Sequence, residues 1–133
     1  LPMKLDECVT GIHAAQRIVN DHGADLCCLK ISNLGGLSKA RRVRDYLVDN
    51  RIPVVAEDTW GGEIATATLA HFAASTPAEY LQNTTDLHNY NTRSTGKPGP
   101  RTANGKLYAS DAPGLGVTPD LESLGPPVAE YRA

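Results

Sequence analysis

The 133-residue chain carries 13 basic against 15 acidic side chains, a formal charge of −2, with 41% hydrophobic and 21% charged residues. This is the make-up of one globular domain with a real core, so wholesale disorder is excluded, and the charge balance lacks the basic excess of a nucleic-acid binder. No run approaches the roughly 20 apolar residues that cross a bilayer, and Cys8, Cys27 and Cys28, odd in number with two adjacent, fit a reducing cytoplasm better than a disulfide framework.

Met3 to Leu5 reads as a short extended run ending in two acids, Asp6 and Glu7. A chain opening inside a strand is expected to be a piece of a longer protein. Thr10 is expected to open a helix, with Ile12, Ala15, Ile18 and Val19 at helical spacing and Gly23 as its C′ residue. Leu26 to Ile31 is a nearly continuous apolar run, the pattern of a strand buried on both faces. Ser32 to Gly36 is a loop. Ser38 is the expected N-cap of a second helix, whose buried stripe is Ala40, Val43 and Leu47.

Pro53 to Glu57 reads as the next strand, Gly61-Gly62 as a break, and Glu63 to Ser75 as an alanine-rich third helix. Tyr80 to Asn83 is a weaker fourth strand. Four β units joined by three helices are the rhythm of parallel crossovers. Beyond them, Thr84 to Pro100 is expected to be a long loop. Lys106 to Ala109 is a short strand, Pro113 to Gly116 a turn, and the tail from Pro119 to Ala133 irregular.

Chemistry collects at the strand ends, where parallel α/β folds place their ligand sites. The first strand ends at Asp6-Glu7, the second at Lys30 with Ser32 and Asn33 following, and the third at Glu57-Asp58-Thr59-Trp60. A lysine between Leu29 and Ile31 is costly unless its amine reaches a polar cavity. Desolvation and neighbouring cations are expected to lower its pKa and make it a usable base. Asp6 is a hard oxygen ligand suited to Mg²⁺. Strand alternation is expected to send Asp6 and Glu7 to opposite faces. Of the histidines, only His88 is placed to reach a site.

These residues carry a resemblance. Pro2-Met3-Lys4-Leu5-Asp6-Glu7, then Leu29-Lys30-Ile31-Ser32-Asn33-Leu34-Gly35-Gly36-Leu37, then Pro113-Gly114-Leu115-Gly116-Val117, in that order and in those contexts, resemble the enolase superfamily. The likeness is to the C-terminal barrel domain of the mandelate racemase and muconate-lactonizing enzymes. It implies an α/β fold, the C-terminal half of a (β/α) TIM-type barrel over residues 1–133. That half would run from about the fifth barrel strand to the end, without the capping domain and the first strands. It implies Mg²⁺ as cofactor and removal of a proton next to a carboxylate. By the same resemblance Asp6 matches a metal ligand, Glu7 the acid beside it, and Lys30 the acid/base lysine.

No histidine follows the third strand here, so the lysine-based members fit better than the histidine-based racemases. The run Glu57-Asp58-Thr59-Trp60-Gly61-Gly62 is similar to members acting on hydroxyproline and proline betaines. Asp58 and Trp60 would then bind a substrate cation by ion pairing and cation–π contact. The implied reaction is epimerisation of a cyclic amino-acid derivative or dehydration of a 3-hydroxyproline, with a small carboxylate substrate, a homo-oligomeric parent and an inactive isolated fragment. A cycloisomerase of the same subgroup is the alternative within the superfamily.

Each residue also has a plainer reading. Asp6 and Glu7 fit helix caps, Lys30 a side chain snorkelling past a sheet edge, Trp60 a rim aromatic, Asp58 a cap of the third helix, and Cys27 and Cys28 small buried hydrophobes. The whole chain then fits a doubly wound small-molecule-binding module. The two readings divide on whether Asp6 and Lys30 converge on one cavity.

Overall fold

The computed structural model describes residues 1–131. Strands and helices alternate as β1 (Lys4–Leu5), α1 (Ile12–Asn20), β2 (Leu26–Lys30), α2 (Leu37–Asp49), β3 (Val54–Glu57), α3 (Glu63–Ala74) and β4 (Leu81–Thr84). The four strands form one sheet in the order β1-β2-β3-β4, and every pairing is parallel. Spatial order therefore follows chain order, as the strand–helix rhythm predicts.

The sheet packs its helices on one face. Cys27 and Leu29 of β2, Ile31 just after it, and Val54 and Ala56 of β3 meet Ala15, Val43, Leu47, Leu69 and Phe72 in a single core. Leu29, Leu47 and Leu69 have no exposed surface, and burial of each contributes about 1.5–3 kcal/mol. Side-chain alternation sends Cys28 and Lys30 of β2, and Val55 and Glu57 of β3, to the opposite face. Register pairs Cys28 with Val55 and Lys30 with Glu57.

The helix ends differ in detail from expectation. The first helix starts at Ile12 rather than Thr10, with Gly11 at its N-cap. Gly36, not Ser38, is the N-cap of α2. Gly35 (φ 80°) and Gly36 (φ 108°) turn the chain into the helix earlier than a serine cap would require, and both sit where side chains are disfavoured. Gly23 is not the C′ residue of α1, because His22 takes the left-handed conformation (φ 49°). His22 N–H donates to Val19 O and Gly23 N–H to Ile18 O, a Schellman closure. Arg51 (φ 61°) ends α2 the same way, with bonds to Val48 O and from Ile52 N–H to Leu47 O.

The segment after β4 is more ordered than the expected long loop. Leu87–Tyr90 forms a 3₁₀ turn. The strand β5 (Gly96–Lys97) pairs antiparallel with β8 (Thr118–Pro119). Between them lies a hairpin of β6 (Arg101–Ala103) and β7 (Lys106–Tyr108). Its turn is Asn104-Gly105 with φ of 52° and 70°, the pair a tight hairpin favours. The tail is not wholly irregular: α4 (Leu121–Leu124) is capped by Asp120, which accepts from Ser123 N–H at 3.2 Å. The expected turn at Pro113 to Gly116 is present, with Gly114 and Gly116 both at φ 68°.

Candidate active site at the strand ends

Lys30 is the last residue of β2 and is only 8% exposed. Its Nζ lies 3.2 Å from Asp6 Oδ1 and donates a hydrogen bond to Glu7 Oε1. Asp6 and Glu7 therefore do not part to opposite faces. The strand β1 ends at Leu5, and the chain then turns, closed by Val9 N–H to Asp6 O at 3.0 Å, so alternation no longer governs these two side chains. Neither caps α1, whose N-cap Gly11 has no side-chain bond. Lys30 does not snorkel to solvent either, since both carboxylates hold its amine.

The electrostatics reverse the expected direction for Lys30. The hydrogen bond to Glu7 holds its pKa above the ordinary lysine range, burial works against this, and the Asp6 carboxylate adds to the rise. Among the described residues the charged partners of Lys30 are the two acids, and the expected cation is not one of them.

Glu57 and Cys28 join the same face. Cys28 Sγ–H donates to Glu57 Oε2 at 2.8 Å, so Cys28 is more than a small buried hydrophobe. Burial raises its thiol pKa, and hydrogen bonding to Glu57 raises it further, which keeps the sulfur protonated. Cys27, on the opposite face in the core, fits the plainer reading; burial pushes its thiol up to about 11. The signal for Glu57 and Cys28 lay in the sequence as two-residue alternation from Lys30 and as its register partner.

Asp58 and Trp60 lie in the loop after β3. Asp58 Oδ1 accepts from Ser32 N–H (3.2 Å), Ser32 Oγ and Thr59 N–H (2.8 Å). Ser32 Oγ also meets Thr59 Oγ1 at 2.7 Å, so the loops after β2 and β3 are stitched together. Asp58 does not cap α3, whose N-cap Gly62 has no side-chain bond. Trp60 is 71% exposed and meets Tyr90 edge-on, with ring centroids 5.9 Å apart. Asn91 Nδ2 bonds Gly61 O at 2.9 Å and ties those two loops. His88 packs toward α3, where its backbone N–H donates to Thr66 Oγ1 at 3.0 Å.

The donor set fits one part of a magnesium site. Asp6 Oδ1 is buried and makes no hydrogen bond despite its nearness to Lys30. Donor atoms of Asp6, Cys28 and Glu57 all lie within 4.8 Å of one another. Asp6 and Glu7 meet the Lys30 ammonium and Glu57 lies close to Asp6, so three carboxylates face one ammonium and leave negative charge for a cation to balance. Asp6 and Glu57 offer the hard oxygens Mg²⁺ takes, whereas a protonated thiol does not. Among the described residues no helix is long and apolar enough to cross a membrane.

The chain is similar to known proteins over nearly its whole length. The chain is 44% identical over 131 residues to the cis-3-hydroxy-L-proline dehydratase of Roseibium aggregatum, a match covering 98% of the chain and 36% of that relative. It is 28% identical to muconate cycloisomerase 1 of Rhodococcus opacus, over 93% of the chain and 33% of the relative. A mandelate racemase/muconate lactonizing enzyme from Roseovarius nubinhibens superposes with a TM-score of 0.96 at 74% identity, over 99% of this chain and 36% of that one. An enolase-superfamily member from the same organism, solved with magnesium, superposes with a TM-score of 0.93 at 32% identity, over 99% of this chain and 36% of that one. The chain thus spans about a third of the length of these relatives. With its parallel sheet and clustered strand-end residues, and with residues 1–124 matching the model described as enolase C-terminal domain-like, the chain belongs to the enolase C-terminal domain-like family.

Proposed function

We propose that this chain supplies the acid/base lysine and one Mg²⁺ ligand of a longer enzyme that removes the proton next to a carboxylate. Its substrate would be a cyclic amino acid of the hydroxyproline or proline-betaine type, and the reaction dehydration or epimerisation. The observation that carries the reading is the meeting of Lys30 Nζ with the carboxylates of Asp6 and Glu7 at the ends of two adjacent parallel strands. A doubly wound binding module gives no reason for that convergence. The stronger likeness to the dehydratase than to the cycloisomerase favours dehydration.

In this reading Lys30 Nζ, as the neutral amine, takes the α-proton, and the C–H electron pair moves into the substrate carboxylate to give an enediolate. In dehydration that pair returns to expel the β-hydroxyl, which leaves as water after taking a proton from a general acid. In epimerisation a proton returns to the opposite face of the α-carbon. Asp6 would hold Mg²⁺, whose positive charge would stabilise negative charge on the substrate carboxylate and offset the carboxylates that keep Lys30 protonated. Trp60, with its indole exposed at the rim, is the residue best placed to face a substrate cation. The remaining metal ligands and the second acid/base come from outside these residues, so the isolated chain is inactive. The parent is a cytoplasmic homo-oligomer in this reading.

The test uses the full-length polypeptide with Mg²⁺ in D₂O and follows the substrate α-proton by NMR. With cis-3-hydroxyproline, proline betaine or hydroxyproline betaine we expect exchange or turnover that Lys30→Ala abolishes. Activity that survives Lys30→Ala, or a folded Mg²⁺-binding protein inert toward all three compounds, rejects the proposed assignment.

A further inference from the structure

Lys30 is held by a carboxylate that is itself poorly placed to hold anything. The Glu7 side chain is 68% exposed and follows a strand of two residues. An exposed glutamate loses up to about 2 kcal/mol of rotamer freedom when fixed, so one bond to Lys30 is a weak anchor. The second anchor is Asn33. Its Nδ2 donates to Glu7 Oε2 at 3.2 Å, while Glu7 Oε1 takes the lysine proton. Glu7 is thereby stretched between two donors, its two oxygens each assigned a partner.

The loop that carries Asn33 is fixed in turn. Leu34 N–H bonds Lys30 O at 3.1 Å and Gly36 N–H bonds Ile31 O at 3.0 Å, coiling the loop against the end of β2. Ser32, beside Asn33, is pinned from the other side by Asp58 and Thr59. Asp6 Oδ1, which is buried, already shares the Lys30 amine as an ion pair at 3.2 Å. If Glu7 swings into solvent, the ammonium has Asp6 as its remaining neighbour and closes on it, occupying the oxygen a cation would use.

We propose that Asn33 is a positioning residue that acts through Glu7 to keep the Lys30 amine shared between Glu7 and Asp6 rather than closed onto Asp6, and that Asp58 fixes the loop from which Asn33 does so. This rests on the lysine-based reading above for its catalytic consequence, and on the contacts alone for its structural one. Asn33 touches neither Lys30 nor a substrate in this account. A displacement of about 1 Å in a reacting group costs up to about 100-fold in rate.

The experiment compares Asn33→Ala, Asn33→Gln and Asp58→Ala in the full-length polypeptide with selective ¹⁵N-lysine labelling. Lys30→Arg identifies the Lys30 ammonium resonance. In Asn33→Ala we expect that resonance to shift or to exchange with water faster, and Mg²⁺ affinity to fall. We also expect turnover to drop about 10- to 100-fold in kcat with KM little changed. Asn33→Gln, which keeps a donor amide, restores part of each effect. Asp58→Ala acts in the same direction but less, and the Asn33/Asp58 double variant falls short of the sum, because the two residues act in series. Asn33 is exposed, so the fold is expected to survive its loss, with the melting temperature as the control. An unmoved Lys30 resonance with unchanged Mg²⁺ affinity overturns the proposal, as does equal loss in the Ala and Gln variants. If the wild-type polypeptide turns over none of the substrates, the functional reading fails separately, and the resonance and Mg²⁺ affinity still decide the role of Asn33.

Discussion

Lys30 sits where an apolar strand least tolerates a charge, and two acids from the neighbouring strand end answer it. The same face confronts Cys28 with Glu57, and there too a carboxylate keeps its neighbour protonated, which leaves the buried thiol neutral where Lys30 is charged. Thiol reactivity therefore separates the cysteines. At pH 8 a thiol reagent should modify exposed Cys8 promptly, while buried Cys27 and Cys28 react about 100-fold more slowly or only on unfolding. Prompt reaction of two or three thiols in the folded protein would contradict this environment. Lys30, Asp6 and Glu7 were legible in the sequence because each interrupts or ends an apolar strand. The shared direction of Asp6 and Glu7 was not, because the point where β1 stops is set by pairing with β2 and leaves no mark in composition. Asp58 and Trp60 were legible as strand-end residues, but their loop contacts with Ser32 and Tyr90 depend on segments distant in the chain.

At the scale of elements, α3 anchors the C-terminal segment through one buried acid. Glu63 is 5% exposed, and its Oε2 accepts from Thr95 N–H and Thr95 Oγ1, both at 2.8 Å. Burial alone would raise its pKa, but the bonds from Thr95, together with those from its own backbone amide and Ser94, outweigh it and hold the group at about 2, against an ordinary 4.5. The folded pKa is depressed, so the stabilisation is complete above the unfolded value and is lost as pH falls from about 4.5 through 2, amounting to roughly 3 kcal/mol. Hydrogen-exchange protection at the Thr95 amide should fall across that window, and Glu63→Gln should remove most of the pH dependence. Protection that is flat with pH in the wild-type protein would show that Glu63 does not anchor the segment. The order of the central strands and helices was legible from periodicity, since one face of each helix must be buried. The strand at Lys106 was expected, but its partner β6 and the hairpin they form were missed although Asn104-Gly105 announces the turn, because the strands are short and largely polar. Helix boundaries moved because Gly36, His22 and Arg51 supply backbone conformations that residue preferences alone do not assign.

For the whole molecule, the sheet ends at β1 on one side and β4 on the other, each with an unpaired edge among the described residues. Open edges invite pairing with another chain. The isolated chain should therefore be only marginally stable, melting low or broadly and in a manner that depends on concentration. Scanning calorimetry at two concentrations, with sedimentation as a check on association, tests this; a sharp, concentration-independent monomeric melt at high temperature would refute it. The two Schellman closures at His22 and Arg51 have a consequence of another kind. They feed β2 and β3 from the ends opposite Lys30 and Glu57, separated by about 13 Å along the five residues of β2. Substitution at those helix exits should therefore cost folding stability and leave the carboxylate–ammonium contacts of the other rim in place.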